Sequence, residues 1–158
     1  FITPDMLIKI TKKQNRTILI CTRADGSYTR ADMGAQLPFH DIAHYVTDKK
    51  LNIKNGFYGL VAQGWTIEQL SDKEVIKTLG IEAWISEIMA RAIGSLYTGS
   101  CTVEQFIPLV QTEMTNRGER GKAPFLTQDM VIEMQAEYTA LLDKWRSLTD
   151  GESLEMEF

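Results

Sequence analysis

Hydrophobic and polar positions alternate with a period of two at the start of the chain, which is the pattern of strands with one buried face. Residues 7–10 and 17–22 are rich in apolar and β-branched side chains, and the polar residues 12–15 separate them. The pair Asp25-Gly26 then gives a tight-turn signal before the alternating residues 27–30. We therefore predict a three-stranded antiparallel meander in this part of the chain.

From Pro38 onward the apolar positions recur at the spacing of amphipathic helices. This spacing predicts a helix over residues 39–51, a short helix over 57–62 and a central helix over 81–97. Capping-box patterns, in which a hydroxyl residue precedes a Gln or Glu by three positions, begin at Thr66, Ser71 and Thr102. Thr127 is expected to cap a last, long helix. In total we expect about five to six helices.

The last residues return to strand alternation, with Leu154, Met156 and Phe158 separated by two glutamates. A lone strand is not stable, so this one needs a partner, and the other predicted strands are all N-terminal. The predicted fold class is α+β, with a small antiparallel sheet from the N-terminal meander plus the C-terminal strand, packed against the helices. Because both ends share the sheet, we expect residues 6–158 to form one domain, and we set 1–5 apart as an expression or processing remnant.

Composition narrows the classes of partner. The formal net charge is -4 and the basic residues are scattered, which argues against a nucleic-acid partner. No apolar run is long enough for a membrane span. The two cysteines, Cys21 and Cys101, do not form a disulfide framework, so we expect a reducing, cytoplasmic environment. The expected partner is a small molecule or a protein, including a second copy of the chain.

The residues with the clearest chemical content are His40 and His44, which are the only histidines in the chain. Residues four apart on a helix project side by side, so both imidazoles could bind one divalent ion such as zinc. In the similar His-Glu-x-x-His arrangement the residue after the first histidine is the general base, which assigns that role here to Asp41. Asp48 shares the histidine face. We assign it to the metal site with the two histidines, either as a ligand or as the carboxylate that orients His44.

A further ligand must come from another helix, because Asp48 lies about 12 Å along the helix axis from His40. The sequence offers four glutamates and does not choose among them: Glu82, Glu87, Glu104 and Glu113. The metal hypothesis therefore requires one carboxylate from another helix close to both imidazoles. The alternative is a site without metal, in which Asp41 compensates the helix dipole and His44 pairs with Asp48 on a solvated face.

One segment carries a resemblance to known proteins. The string L-P-x-H-D-x-x-H-Y at residues 37–45, followed by G-F-Y-G-L at 56–60, is similar to small bacterial proteins without an assigned activity. The resemblance covers most of the chain and implies no reaction. The His-Asp-x-x-His string also resembles the zinc-binding signature of a ubiquinone-biosynthesis family. That signature requires a glutamate at the position occupied here by Gly56, so we do not assign the chain to that family.

A second class of function needs no catalysis. Tyr28, Tyr58 and Trp65 are expected to be exposed aromatic residues, and residues 27–32 are expected to form an edge of the sheet. In this hypothesis these surfaces bind a protein partner or a second copy of the chain. Loss of Trp65 would then weaken association without changing any metal content.

Overall fold

Four strands form one antiparallel sheet in the computed structural model, which describes residues 5–158. They are β1 (Met6–Lys13), β2 (Arg16–Arg23), β3 (Tyr28–Asp32) and β4 (Ser153–Glu157). The strand order is β3-β2-β1-β4, so the last strand pairs with the first, with Ile8 opposite Met156. The predicted pairing of the chain ends is confirmed. The segment set apart as a remnant lies outside the described residues except for Asp5.

All the helices of the described residues lie between β3 and β4 in the chain. They are α1 (Phe39–Lys50), α2 (Phe57–Ala62), α3 (Ile67–Leu70), α4 (Lys73–Ile76), α5 (Ile81–Thr98), α6 (Val103–Asn116) and α7 (Gln128–Ser147). The described part of the chain thus has seven helices, two of which, α3 and α4, are four residues long. The α+β fold class is confirmed.

The first hairpin is longer than the sequence pattern predicts. The polar turn was expected at residues 12–15, but only Gln14 and Asn15 form it, both with positive φ. Lys12 belongs to β1, where it pairs with Thr17 of β2, and its ammonium group donates hydrogen bonds to the carbonyl oxygens of Trp145 and Leu148 at the end of α7. A cation at the C-terminal end of α7 also interacts favourably with the dipole of this helix. The lysine therefore joins the sheet to the last helix.

Most of the predicted helix starts are confirmed. Thr66 and Thr102 each form a complete capping box, and the Thr127 hydroxyl accepts a hydrogen bond from the amide of Met130. The box predicted from Ser71 is wrong. Asp72 caps α4 by accepting from the amide of Glu74, because the Ser71 hydroxyl already donates to a carbonyl of α3.

Helix α1 is enclosed by protein along most of its length. Its residues 41 to 48 are all buried, and the helix packs against α5 and α7. An amphipathic surface helix would leave one face in water. The enclosure brings polar side chains into the interior, including those of His44, Thr47 and Asp48. Each of them therefore needs a partner inside the protein.

The aromatic residues expected on the surface differ in their exposure. Tyr58 is 0% exposed and its hydroxyl donates to the main-chain carbonyl of Asp41, so the prediction that it is exposed is wrong. The physical reason is that α2 packs against α1 and the sheet and carries Tyr58 inward. Trp65 is half-buried, whereas Tyr28 on the edge strand β3 is 66% exposed. Within residues 5–158 there is no helix with the length and apolar character needed to cross a membrane.

Leu154→Ala tests whether the C-terminal strand is part of the core. Leu154 is buried against the inner face of the sheet, whereas Glu155 points to solvent. We expect the leucine substitution to lower the free energy of unfolding by about 2–4 kcal/mol, through lost apolar burial and the cavity left behind. The measurement is urea unfolding beside Glu155→Ala, which should change stability by less than about 0.5 kcal/mol. Equal, small effects of both variants would mean that β4 does not contribute to the core.

Candidate metal centre

Three side chains from two helices converge at one point. The Nε2 atoms of His40 and His44, on α1, lie 3.0 Å apart. The Glu87 carboxylate, from α5, lies opposite, with Oε1 2.9 Å from Nε2 of His44 and Oε2 3.4 Å from Nε2 of His40. One carboxylate from another helix therefore lies close to both imidazoles, as the metal hypothesis requires. Among the described residues these three form the group that could hold a metal ion.

These separations are those expected of ligands that share one ion. Imidazole and carboxylate ligands of zinc lie about 2.0–2.2 Å from the ion, which in a tetrahedral site places the ligand atoms roughly 3.3–3.5 Å from each other. The observed distances of 3.0, 2.9 and 3.4 Å are close to that value. Small rotations of the side chains would thus be enough to admit an ion. The same geometry can also hold a proton shared among the three groups.

The other nitrogen of His44 is held by a buried hydrogen-bond chain. Its Nδ1 lies 2.8 Å from Oγ of Ser86, and the Ser86 hydroxyl donates to Oδ1 of Asp48 at 2.6 Å. Because the serine proton goes to Asp48, the serine oxygen must accept from Nδ1–H of His44. The neutral imidazole then carries its proton on Nδ1 and has a free lone pair on Nε2. That lone pair points at His40 and Glu87, as a metal ligand should.

Asp48 can be buried because its surroundings supply several donors. It is 0% exposed, and burial raises the pKa of its carboxyl, while the charge of His44 and the Ser86 hydrogen bond act in the opposite direction. The amides of Phe57 and Tyr58, at the start of α2, also face the carboxylate and lower its pKa. Among the described residues Oδ2 has no close hydrogen-bond partner.

Gly56 lets α2 begin this close to the buried carboxylate. A Cβ atom built on Gly56 would lie 2.8 Å from Oδ2 of Asp48, which is closer than such atoms normally approach. Any larger residue would push either the helix or the carboxylate away. The glycine in the G-F-Y-G-L string therefore has a packing role next to the candidate site.

Charge and ring stacking hold the side chains of His44 and Glu87 in place. Burial by itself lowers the pKa of His44, but the hydrogen bond to Glu87 and the charges of Asp48, Glu87 and Asp41 outweigh it, so the pKa is raised. Burial likewise favours the neutral form of Glu87, yet hydrogen bonds to His40 and His44 lower the pKa of this carboxyl far below its usual range. The Phe57 ring stacks on the His44 ring at 5.2 Å. The imidazole is thus fixed on both its edges and one face.

Asp41, the residue predicted to be a general base, lies outside the group of three. Its side chain is buried, and burial raises the pKa of the carboxyl, with a partial opposing effect from the charges of His44 and His40. Burial raises the pKa of the Cys21 thiol, on the inner face of the sheet, and the charge of the nearby Asp41 raises it further. The Asp41 carboxyl therefore lies near the sheet as well as near the histidines. Its catalytic role stays a prediction.

The structure thus separates the predicted site residues that meet at one point from those that do not. It brings His40 and His44 together with Glu87, one of the four glutamates that the sequence left open. It places Asp48 behind His44, joined through Ser86 rather than in the group of three. Ser86 was not predicted. The signal for it was a single hydroxyl residue in the stripe of small and apolar residues on α5, formed by Ala83, Ser86, Ala90 and Ile93.

No family model, no curated protein and no solved structure matches this chain. The resemblance to small bacterial proteins stays a prediction. The function must therefore be inferred from the chemistry of His40, His44 and Glu87.

Ser86→Ala tests whether the buried hydrogen-bond chain supports metal binding. The variant removes the acceptor of the His44 Nδ1–H hydrogen bond and the donor to Oδ1 of Asp48, so the imidazole loses its fixed orientation. We expect affinity for zinc to fall by about 10- to 100-fold, the usual cost of losing such a supporting contact. Titration against a chromophoric chelator measures it. Ser95→Ala, a half-buried serine on the same helix whose hydroxyl makes no hydrogen bond among residues 5–158, is the control and should bind zinc normally. Equal affinity of the two variants would contradict the role given to Ser86.

Proposed function

We propose that this protein binds a divalent transition-metal ion through Nε2 of His40, Nε2 of His44 and the carboxylate of Glu87. The observation that carries the proposal is the convergence of these three groups: the two imidazole nitrogens lie 3.0 Å apart, and each lies within 3.4 Å of one oxygen of the carboxylate. The Ser86 contact to Nδ1 of His44 adds to it, because it leaves the inward-facing nitrogen free to act as a ligand. A solvated pair of surface histidines would need neither feature.

Zinc is the ion that this ligand set favours. Two imidazoles and one carboxylate are a known catalytic zinc set, and histidines four apart on one helix are a common way to supply the first two. The same three ligand types also suit iron(II) in non-haem sites. We propose zinc because adjacent helical histidines are the arrangement on which the zinc hydrolases of this type are built. Metal analysis distinguishes the two ions.

The chemistry that we propose is hydrolysis. Three protein ligands leave one position of a tetrahedral ion for water, and an ion in such a site lowers the pKa of that water towards neutrality. Solvent can reach this position, because the His40 side chain is 55% exposed although His44 and Glu87 are largely covered. His44 and Glu87 hold the ion in place, and His40 completes the set at the surface.

Metal content tests the site directly. Protein purified without chelators is expected to hold about one equivalent of zinc per chain, which His40→Ala and Glu87→Gln should reduce strongly. Both substitutions remove one ligand and leave the buried His44 in place, so the fold should persist. Elemental analysis and chelator competition give the content and the affinity.

Glu104→Gln is the matched control for these two variants. Glu104 is an exposed carboxylate in the first turn of α6, and its loss should leave the zinc content unchanged. Wild-type protein that takes up no ion from a zinc, iron(II), manganese or nickel solution, and shows no thermal shift with any of them, would refute the metal site.

Activity is tested with the zinc-loaded chain. We expect it to hydrolyse an activated ester or phosphate ester such as 4-nitrophenyl acetate or 4-nitrophenyl phosphate, and Glu87→Gln to lose that activity together with the metal. The release of 4-nitrophenol gives the rate. As a control for contaminating enzymes, zinc is added back after chelator treatment. Turnover should then return in the wild type but not in Glu87→Gln. A loaded protein with no turnover of any such ester would limit the proposal to metal binding.

A further inference from the structure

Glu87 forms a wall of a second feature, a cleft of about 390 Å³ between α4, α5 and the end of α6. The cleft is lined by Lys73, Ile76, Lys77, Trp84, Glu87, Arg91 and Arg117. Trp84, Glu87 and Arg91 follow each other along one face of α5 at helical spacing. The glutamate therefore lies between the two histidines and the cleft, and a molecule in the cleft lies next to the candidate metal position.

Four of the seven residues that line this cleft are cationic, and the single carboxylate among them, that of Glu87, is directed to the histidines. Two of the cations have acidic partners outside the lining set: Lys77 pairs with Glu74, and Arg91 pairs with Glu113. These pairs are exposed, so each is weak and easily exchanged for a ligand. The other two, Lys73 and Arg117, make no ion pair with any residue in 5–158.

Arg117 is held in a position that suits anion binding. Its guanidinium group lies 3.8 Å from the centre of the Trp84 ring, stacked on the indole face. Stacking uses the flat face of the guanidinium and leaves its edge N–H donors free. Those donors match the oxygen atoms of a phosphate or a carboxylate. The tryptophan thus fixes the cation without neutralising it.

The charge of this cleft differs from that of a larger cleft in the described residues. That larger cleft, of about 660 Å³, is lined by three cations and by three carboxylates, those of Asp5, Asp25 and Asp48. The chain as a whole has a formal net charge of -4. The four cations that line the cleft beside Glu87 outnumber its one carboxylate, and Lys73 and Arg117 have no ion-pair partner among residues 5–158, in contrast to the acidic average of the protein. Such a cleft raises the local concentration of anions.

We propose that this basic cleft binds the dianionic phosphoryl group of a small substrate and presents it to the metal centre. The phosphoryl class follows from charge, because the two cations of the cleft that have no ion-pair partner within residues 5–158, Lys73 and Arg117, match the two charges of a dianion. The cleft has the size of a small-molecule site. That the bound anion is a substrate rests on the proposed function above, whereas the anion site itself depends only on the four cations.

The test uses methylphosphonate, whose phosphorus–carbon bond hydrolysis does not cleave, as the probe, at a pH above its second pKa so that it is a dianion. Its affinity is measured by calorimetry for zinc-loaded wild type and for Lys73→Gln/Arg117→Gln. The matched control is Lys13→Gln/Arg30→Gln, which removes the same charge from two exposed cations of the sheet that make no ion pair within residues 5–158. We expect the cleft variant to weaken binding by roughly tenfold or more and the control by less than about twofold. Both variants should bind zinc like wild type.

Metal-free His40→Ala protein, with and without the cleft substitutions, separates this proposal from the metal site. Here too methylphosphonate should bind more weakly once Lys73 and Arg117 are replaced, because their charges do not depend on the ion. Zinc uptake combined with equal phosphonate affinity of the cleft and control variants would overturn the anion site and leave the metal site intact. Acetate that binds as tightly as methylphosphonate would overturn the phosphoryl class. Failure to bind zinc, with cleft-dependent phosphonate binding, would confirm the anion site and refute its role beside a metal.

Discussion

Two polar side chains, His44 and Asp48, are buried between α1 and α5, and their need for partners governs how these helices pack. A buried carboxylate is stable only when its charge is neutralised or its oxygens accept hydrogen bonds. Ser86 donates one such bond to Oδ1 of Asp48 and at the same time accepts a hydrogen bond from Nδ1–H of His44, so a single hydroxyl contacts both groups. Because Ser86 is fixed on α5, the chain of contacts also sets the register of the two helices. Packing, helix register and the orientation of the imidazole are thereby decided together.

The contact between Ser86 and His44 also determines the position of Glu87. It follows Ser86 in the chain, and a helix that directs residue 86 to His44 Nδ1 brings residue 87 to the outer edge of the same ring. In this arrangement the carboxylate reaches Nε2 of both histidines. Burial lowers the pKa of His44, but the hydrogen bond to Glu87 and the surrounding negative charges raise it, so the protonated imidazole is favoured beside this carboxylate. A divalent ion would replace that proton and would satisfy all three groups at once.

The position of Glu87 also connects two parts of the surface. Its carboxylate faces the histidines, whereas the same side chain lines the basic cleft that contains Arg117 and Lys73. A metal ion and an anion pocket that both contact Glu87 are physically consistent with each other. A phosphoryl oxygen can coordinate a metal ion, and it can also accept hydrogen bonds from the cations of the pocket. The positive charge of the cleft would otherwise be unexplained in an acidic protein. The proposals of hydrolysis and of an anionic substrate support each other in this way, although they are tested separately.

Local periodicity and spacing within one helix were sufficient to predict the α+β class, the pairing of the chain ends and the histidine pair. The pattern of Leu154 and Met156 was enough to predict a strand that needed a partner, and the i,i+4 spacing was enough to place His40 beside His44. The choice among the four glutamates, the role of Ser86 and the burial of Tyr58 emerged from the packed structure. Each of those outcomes depends on which face of one helix meets another, and packing between segments far apart in the chain decides that, so the pattern within one segment is not sufficient to predict it.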